Sequence, residues 1–599
     1  MNMSPWPATH PYAALLARLV AFVEQERDIA KARCLESWAR PMKEKIGSGM
    51  AQQFVSLEVD DDPKILIASL GRGESRFREG DQLCLHAGSA LSGGAVYSVV
   101  FEFEGARFWK LRCRSSADAR AVQALGVAYG EQDLVNLSHL FLQSLTEIAM
   151  SADSGHTVLA LIDGTLPTHF NAQDYGSAYS YAVQQGLNGL QAEAVGKALS
   201  ADHVACIQGP PGTGKTRVLA LAAALLVARG ERVLVTSHTH AAINNALNKI
   251  APYGVPIVKI GGLAHTRGLE DQVERLENIS EWENKPIGGF IVGATPFASC
   301  SKRLAGWDFD TIIFDEASQV TVPLALMAMR VGKRFVFIGD QQQLPPVVLS
   351  QSILGGTASV FSHLTSHNKD SVMLRETYRM NRWLTAWPSR NFYNLELHAA
   401  GPNAERRMLV APVGNTFASR LLALPDSAIF VPTRDRKARS RNQSDAALVL
   451  ALCRAAHDCG LALADIGIVT PYRAQGRAIR SLLRKEFGER ARELVADTVE
   501  RMQGQERELV ILSLATGDLG YLANVAEFFF QRERLNVSVT RAMTKLVIIG
   551  PEVPAWFSCS DEQVAANVAL YRDMIACCRQ IDPEGSGPVL APVLAPTFS

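Results

Sequence analysis

The chain lacks long apolar runs, paired cysteines and net charge, and each absence excludes a class of protein. No apolar run approaches the ~18 residues of a membrane-spanning helix, and the first residues, MNMSPWPATH, have no basic stretch typical of a signal peptide. The ten cysteines form no C-x-x-C pair, which argues against a zinc module or a disulfide framework. Lys and Arg number 60, as do Asp and Glu, so any nucleic-acid-binding surface must be local. We expect a cytoplasmic protein with no membrane partner.

The residue pattern changes several times along the 599 residues, a length that suggests roughly four domains. Residues 1–45 are helical with one apolar side, and short alternating runs over 46–116 predict a small antiparallel sheet or barrel. Helical periodicity returns in 117–180, which ends as a linker. From 181 onwards, buried strands alternate with helices, which is typical of parallel α/β layers.

This α/β part divides into two halves, 181–350 and 351–580, that offer a cleft between them. A charged segment at 262–286 is predicted to be a short helical insertion in the first half. The last residues, 581–599, repeat VLAP and are predicted to form a disordered tail.

The strongest motif is GPPGTGKT, which matches G-x-x-x-x-G-K-[ST] in full between an apolar strand and a helix-forming run. Its residues are Gly209, Pro210, Pro211, Gly212, Thr213, Gly214, Lys215 and Thr216. Such a loop directs backbone N–H groups at phosphate oxygens. Lys215 is predicted to reach the β- and γ-phosphates and Thr216 to hold Mg²⁺. The sequence therefore predicts binding and hydrolysis of a nucleoside triphosphate, with ATP and Mg²⁺ as cofactors.

Two further strand ends in the first half carry polar residues. Asp315 and Glu316 follow an apolar strand about a hundred residues after the P-loop. Asp315 is predicted to hold Mg²⁺ and Glu316 to act as the general base or to position the attacking water. Gln343 is predicted to sense the γ-phosphate, and the rigid turn at Pro345 to pass that signal to a polymer track.

In the second half, Tyr378 and Arg379 offer an aromatic face for a base and a guanidinium for a phosphate. Arg541 is predicted at the end of a short β-to-helix segment, where it would act with Arg379 as an arginine finger. The most basic stretch is predicted to be either a solvated loop or a phosphate-contacting loop. It contains Arg434, Arg436, Lys437, Arg439 and Arg441.

The ordered motifs resemble those of superfamily 1 helicases, in particular the group of the nonsense-mediated-decay and immunoglobulin-mu-binding helicases. The segments that carry this resemblance, over roughly 187–550, are LNGLQAEAV, VLVTSHTHAAINNAL, VGATPFAS, DEASQ, GDQQQLPP, TYRMN, IGIVTPYRAQ, TVERMQGQE and RLNVSVTRA. The resemblance implies two RecA-like motor lobes, preceded by a small β-barrel on a helical stalk. It also implies that Gln191 reads the adenine and that Glu506 belongs to the nucleotide site.

The resemblance also implies a track for single-stranded DNA or RNA and movement in the 5′-to-3′ direction. The residues that match strand-contacting motifs are Ser237, Thr239, Thr295, Thr470, Tyr472 and Gln503. The sequence thus predicts an ATP-dependent helicase or translocase, with a regulatory protein as a further candidate partner. The alternative is an ATP-gated nucleic-acid clamp or assembly platform with little unwinding.

Overall fold

The computed structural model describes residues 6–71, 75–77, 79–91, 94–105, 107–151, 154–262, 265–266, 268–350, 359–367, 370–557 and 559–581. The chain folds into an N-terminal closed barrel carried on helices, followed by two parallel sheets. This architecture confirms the predicted fold class. Of the predicted tail, 581–599, all but the first residue lies outside the described residues.

The N-terminal part consists of a helical stalk and a six-stranded barrel. Its elements are α1 (Ala13–Ala39), α2 (Met42–Gly47), β1 (Ala51–Val59), β2 (Ile65–Leu70), β3 (Gln82–His86), β4 (Tyr97–Glu104), β5 (Phe108–Cys113), α3 (Ser116–Gln123), β6 (Ala128–Gln132), α4 (Ser138–Met150) and α5 (Ser154–Asp163). The apolar side of α1 is buried as its periodicity predicts: Leu15 and Leu19 share a core with Leu145 of α4 and Phe335 of the first sheet. The stalk is therefore packed directly on the first lobe.

The barrel closes in the order β1-β2-β5-β4-β3-β6. Buried and half-exposed residues alternate along β5, and Trp109 stacks on Phe101 with ring centroids 3.9 Å apart inside the barrel. The predicted end of the barrel at residue 116 is too early. Strand β6, in a stretch predicted to be helical, pairs with both β1 and β3 and so removes the two open edges.

The first lobe is an eight-stranded sheet of order β10-β9-β11-β8-β12-β13-β7-β14, with parallel pairing throughout. Its elements are α6 (Ala172–Gln184), α7 (Gly189–Ser200), β7 (Val204–Gln208), α8 (Lys215–Ala228), β8 (Arg232–Thr236), α9 (His240–Ile250), β9 (Ile257–Ile260), β10 (Glu274–Leu276), β11 (Phe290–Gly293), α10 (Pro296–Ser299), β12 (Phe309–Phe314), α11 (Val322–Met329), β13 (Gly332–Gly339), α12 (Val360–His367) and β14 (Val372–Met373). The central strands are buried on both faces, because helices cover both sides of the sheet.

Two predictions about the first lobe are wrong. The lobe continues beyond residue 350, because Phe361 of α12 belongs to its core and β14 pairs with β7. The segment 262–286 contains no α-helix in its described residues, which include strand β10 and a 3₁₀ turn at Ile279–Glu281. Its buried Trp282 packs against Phe290 of β11, so contact with the sheet rather than helix propensity sets this conformation.

The second lobe is a six-stranded parallel sheet of order β19-β18-β20-β21-β17-β22, with a small two-stranded pair, β15 and β16, beside it. Its elements are β15 (Glu376–Thr377), α13 (Arg382–Phe392), β16 (His398–Ala399), α14 (Phe417–Leu422), β17 (Ala428–Pro432), α15 (Gln443–Asp458), β18 (Ile466–Thr470), α16 (Arg473–Phe487), β19 (Val495–Thr498), α17 (Val499–Met502), β20 (Arg507–Ser513), α18 (Leu519–Asn524), α19 (Ala526–Phe529), α20 (Arg532–Val539), β21 (Ala542–Gly550), α21 (Glu562–Ala576) and β22 (Arg579–Gln580). The carboxyl ends of strands in such sheets are where ligands gather.

Candidate nucleotide and nucleic-acid site

The P-loop joins β7 to α8, as its sequence predicts. Gly212 and Gly214 have φ values of +74° and +83°, which favour glycine, and Gly214 caps the N-terminus of α8. The Nζ of Lys215 donates to the carbonyl of Gly209, and the Oγ1 of Thr213 donates to the carbonyl of Pro210 at 2.8 Å. The loop is therefore curled around the ammonium group, with the positive end of the helix dipole behind it.

Gln191 lies directly against this loop. Its Nε2 donates to the carbonyl of Thr213 at 3.0 Å, and its Oε1 accepts from the backbone N–H of Asn188 at 3.1 Å. The side chain of Asn188 in turn accepts from the N–H of Gln191, which completes a capping box at the start of α7. Gln191 thus holds α7 against the P-loop, and its predicted contact with adenine stays a prediction.

The second lobe touches the P-loop directly. The Oγ1 of Thr377 donates to the carbonyl of Pro211 at 2.8 Å, and the N–H of Tyr378 donates to the carbonyl of Gly212 at 2.9 Å. A Cβ on Gly212 would lie 2.4 Å from the Cβ of Arg379. Only glycine fits here, because the two lobes meet backbone to backbone at the phosphate-binding loop.

Two buried carboxylates from neighbouring strands face Lys215. Asp315 at the end of β12 is 4% exposed and Asp340 at the end of β13 is fully buried. Burial raises the pKa of both groups, and Lys215 opposes this rise in each case. For Asp315, the neighbouring Glu316 raises the pKa further. The geometry therefore brings a lysine and two carboxylates together from three separate loops.

Glu316 occupies a strained backbone position, with a φ of +50°. Its Oε2 accepts from the Nε2 of Gln503 in the second lobe at 3.3 Å. Gln503, whose predicted partner is the strand, therefore lies beside the proposed general base in this structure. His238 is a further neighbour of Glu316. Burial lowers the pKa of His238, and the negative charge of Glu316 opposes this effect in part.

Arg379 and Arg541 converge beside the P-loop from the second lobe. The Nε of Arg379 lies 2.6 Å from the Oε2 of Glu506, and its Nη1 donates to the carbonyl of Thr540 at 3.1 Å. Arg541 is 1% exposed, and its Nε donates to the carbonyl of Val537 at 2.9 Å. Burial and the nearby Arg379 lower the pKa of Arg541.

The local structure around Arg541 differs from the prediction of a β-to-helix segment. Residues Arg532–Val539 form helix α20, and Arg541 lies between this helix and β21. The apolar alternation of NVSV indicates a strand, but these residues are buried on every side between α13, α17 and α21. Tertiary burial thus overrides the strand propensity of the valines.

Gln343 contributes to a buried network that crosses between the lobes. Its Nε2 donates to Asp340 Oδ2 at 2.9 Å, and the hydroxyl of Tyr393 donates to the same oxygen at 2.8 Å. The Nδ2 of Asn536 donates to the Tyr393 hydroxyl at 2.9 Å and to the carbonyl of Gln342 at 2.8 Å. The residue pattern did not indicate that Tyr393 contacts both Asp340 and Asn536, although all three residues lie within recognisable motifs.

All but Gln503 of the predicted strand-contacting residues lie at or just beyond the carboxyl ends of strands in the two sheets. Ser237 follows β8 and is fully buried, and its hydroxyl is without a hydrogen-bond partner within the described part of the chain. Thr239 caps α9, Thr295 precedes α10, and Thr470 ends β18. Of the other three members, Pro345 is exposed and the ring of Tyr472 packs near Phe528. Gln503 follows α17 and lies beside Glu316.

Among the residues that the structure describes, no group of three or more His, Cys, Asp or Glu is arranged to hold a metal. A metal at the P-loop would rest on Thr216, Asp315 and the nucleotide phosphates. Both side chains offer oxygen, the ligand atom that Mg²⁺ prefers, and Mg²⁺ commonly takes few protein ligands. The residues present therefore fit the ion.

Across the described ranges of the chain, no helix is long and apolar enough to cross a membrane.

Two family models, each described as an AAA domain, match residues 186–390 and 357–553. The chain is 29% identical over 469 residues to the DNA replication ATP-dependent helicase/nuclease DNA2 of Saccharomyces cerevisiae, covering 70% of this chain and 30% of that protein. It is 28% identical to the human protein of the same name, covering 61% and 37%. It is also 28% identical to the DNA polymerase alpha-associated DNA helicase A of Schizosaccharomyces pombe, covering 61% and 63%.

The chain thus spans about a third of the length of the first two relatives. Among solved structures, the chain is similar to the crystal structure of Arterivirus nonstructural protein 10, a helicase, at 14% identity and a TM-score of 0.38, covering 88% of this chain and 82% of that one. The sequence similarities agree with the predicted relationship to superfamily 1 helicases. They do not single out the nonsense-mediated-decay and immunoglobulin-mu-binding group.

Proposed function

We propose that the protein is an ATP-dependent superfamily 1 helicase or translocase that moves along single-stranded nucleic acid, in the 5′-to-3′ direction. One observation carries this proposal: the P-loop of the first lobe packs against Thr377, Tyr378 and Arg379 of the second. A nucleotide bound at this loop would lie between the lobes. Its binding and hydrolysis would therefore change how the lobes fit together.

The proposal assigns a role to each residue of the nucleotide site. Lys215 and the loop amides would hold the phosphates, Gln191 and Tyr378 would flank the base, and Glu316 would orient the attacking water. Thr216 and Asp315 would hold Mg²⁺, which neutralises charge on the phosphates.

Arg379 and Arg541 would stabilise the charge that develops on the transferred phosphoryl group. Glu506 holds Arg379 in place through its 2.6 Å contact. Gln343 would report the state of the γ-phosphate through Asp340.

The strand would cross the carboxyl ends of both sheets. Its phosphates would meet Ser237, Thr239 and Thr295 in the first lobe, and Thr470, Tyr472 and Gln503 in the second. The turn at Pro345 would lie between the nucleotide site and this track. Contacts of this kind position a strand without reading its sequence, so the proposal includes either DNA or RNA.

Three finer assignments remain part of the proposal. They are membership of the nonsense-mediated-decay and immunoglobulin-mu-binding group, a cytoplasmic setting, and a regulatory protein partner. We also propose domain limits that take β6, α12 and β14 into account: 6–45 for the first stalk helices, 46–132 for the barrel, 133–180 for the remaining stalk, 181–374 for the first lobe and 375–580 for the second.

The test is ATP turnover without polymer, with single-stranded DNA and with single-stranded RNA, accompanied by strand displacement on a tailed duplex. Lys215→Ala should abolish turnover in every condition, because it removes the charge at the phosphates. Stimulation by one polymer together with displacement of a strand from a 5′-tailed duplex would support the motor. Stimulation without displacement would favour an ATP-gated clamp, and normal turnover by Lys215→Ala would refute the site.

A further inference from the structure

A group of basic side chains lies beside the predicted strand track in the first lobe, and the proposed function does not use it. We call it the β9 cluster: Lys259 of β9, His240 at the start of α9, His265 and Arg303. His240 follows Thr239 directly in the chain, and Lys259 is the third of the four residues of its strand. The cluster thus lies at the carboxyl edge of the sheet, where the strand is proposed to pass.

The cluster has a defined internal geometry. Lys259 is fully buried, and its Nζ lies 3.2 Å from the Nδ1 of His240 and 3.0 Å from the carbonyl of Ile260. Lys259 Nζ and His240 Nδ1 share one hydrogen bond, whose direction follows from which of the two nitrogens carries the proton. The half-exposed His265 ring stacks on His240 with centroids 4.0 Å apart and planes 4° apart.

The charges in this cluster are poorly balanced. Burial lowers the pKa of Lys259 to about 7 and that of His240 to about 3, and Arg303 lowers both. Burial, Lys259 and Arg303 also lower the pKa of His265. Within the described ranges, the carboxylates that face the cluster are Glu102 of the barrel, which acts on His265, and Glu277, which lies 3.8 Å from Arg303.

A buried lysine without an adjacent carboxylate is costly to keep charged, so such a group is either deprotonated or supplied with an anion. Here three nitrogen bases from three segments converge, and two of them are half-exposed imidazoles. A singly charged oxyanion beside the imidazole rings would stabilise the protonated forms of these three groups. A nucleic-acid backbone supplies such an anion at every nucleotide.

We propose that the β9 cluster is a phosphodiester-binding subsite of the strand track, and that the strand binds there together with protons taken up from water. The protons go to the Lys259–His240 pair and to His265, and the only new bonds are N–H bonds on these groups. A phosphodiester has no proton to exchange near neutral pH, so any uptake belongs to the protein. This inference rests on the proposed function, because it assumes that a strand crosses this edge of the sheet.

The experiment is calorimetric titration of the 599-residue chain with an oligothymidylate of ~12 nucleotides, at pH 7.5 in two buffers of different ionisation enthalpy. The buffer dependence of the heat gives the number of protons taken up. Wild type should take up on the order of one proton per strand, and its affinity should fall by up to about tenfold per pH unit as pH rises above 7.

Three variants separate titration from charge. Lys259→Arg keeps a positive charge that does not titrate, so it should bind within about threefold of wild type with reduced proton uptake. His265→Gln should bind more weakly and also take up less. His203→Gln is the matched control, because His203 lies at the amino end of β7, on the opposite edge of the sheet. Thermal unfolding of each variant checks its fold.

The outcomes distinguish this inference from the proposed function. Two outcomes would overturn the assignment of the β9 cluster as a phosphodiester subsite and leave the motor proposal intact. One is strand binding by wild type without proton uptake, and the other is equal proton uptake by His203→Gln and His265→Gln. Sulfate, which does not titrate near pH 7, serves as a free-anion probe. The same uptake with sulfate alone would assign the cluster to a free anion and not to the strand. Failure to bind any strand would overturn both proposals.

Discussion

The buried contact between Tyr393 and Asp340 offers the sharpest test of how the lobes are coupled. The hydroxyl of Tyr393, in the second lobe, donates to Asp340 Oδ2 in the first lobe at 2.8 Å, and both residues are 1% exposed or less. Replacing Tyr393 by Phe removes this hydroxyl and little else. In this variant Asp340 still accepts a hydrogen bond from the side-chain amide of Gln343 at 2.9 Å. The side chain of Asn536 still donates to the carbonyl of Gln342 at 2.8 Å.

The expected loss follows from the charge and burial of the acceptor. A hydrogen bond to a charged group contributes ~1.5–3 kcal/mol. Because other donors to Asp340 remain, we expect Tyr393→Phe to lose ~2 kcal/mol of interaction free energy between the lobes. About 2 kcal/mol corresponds to roughly 30-fold in an equilibrium constant. Because the bond crosses between lobes, we expect this loss to disfavour the closed arrangement. Strand-stimulated ATP turnover should then fall by up to about 30-fold, with a smaller change in turnover without polymer.

Tyr571→Phe is the matched control. Tyr571 is also fully buried, and its hydroxyl donates to the carbonyl of Pro551 at 2.8 Å within the second lobe. This variant should lose ~1 kcal/mol of unfolding free energy, measured by urea denaturation, and keep its strand stimulation. If both variants lost the same stability and both kept full stimulation, the coupling role of Tyr393 would be refuted.

Three further predictions concern the nucleotide site. Glu316→Gln should bind ATP normally and hydrolyse it ~10²–10⁴-fold more slowly in single-turnover assays; rapid hydrolysis would place the base elsewhere. Arg541→Ala should lower turnover on the order of 10³-fold while nucleotide affinity, measured by fluorescence titration, stays near that of wild type. A loss of affinity alone would contradict its role in the transition state, and Arg541→Lys controls for the loss of charge in a buried position. Burial and Glu316 raise the pKa of Asp315 to about 7. Protons therefore compete with Mg²⁺ below this pH, and Mg·ATP affinity should fall by up to about tenfold per pH unit from 7 to 5. If ATP affinity measured in EDTA, without Mg²⁺, depended on pH in the same way, competition between protons and Mg²⁺ at Asp315 would be excluded as the cause.

The parts of the fold that the sequence predicted well are those set by local pattern. Apolar runs predicted as strands of the two sheets, such as Val204–Gln208 and Ile466–Thr470, are present within a few residues, because runs of buried β-branched residues suffice to specify them. The P-loop forms between a strand and a helix for the same reason. The wrong predictions fall where distant contacts decide. Strand β6 pairs with β1 and β3, and the described residues of 262–286 form strand β10 and packed turns instead of a helix.

The candidate site divides along the same line. The sequence by itself determined which residues could bind phosphate, namely the eight of the P-loop, since that motif acts through its own backbone. Only the tertiary structure decided that Gly212 abuts Arg379, that Tyr393 meets both Asp340 and Asn536, and that Lys259 lies beside His240. These partners are 19 to 167 residues apart in the chain. No local pattern fixes which of them meet, because sheet order and the packing of one lobe on the other set those distances.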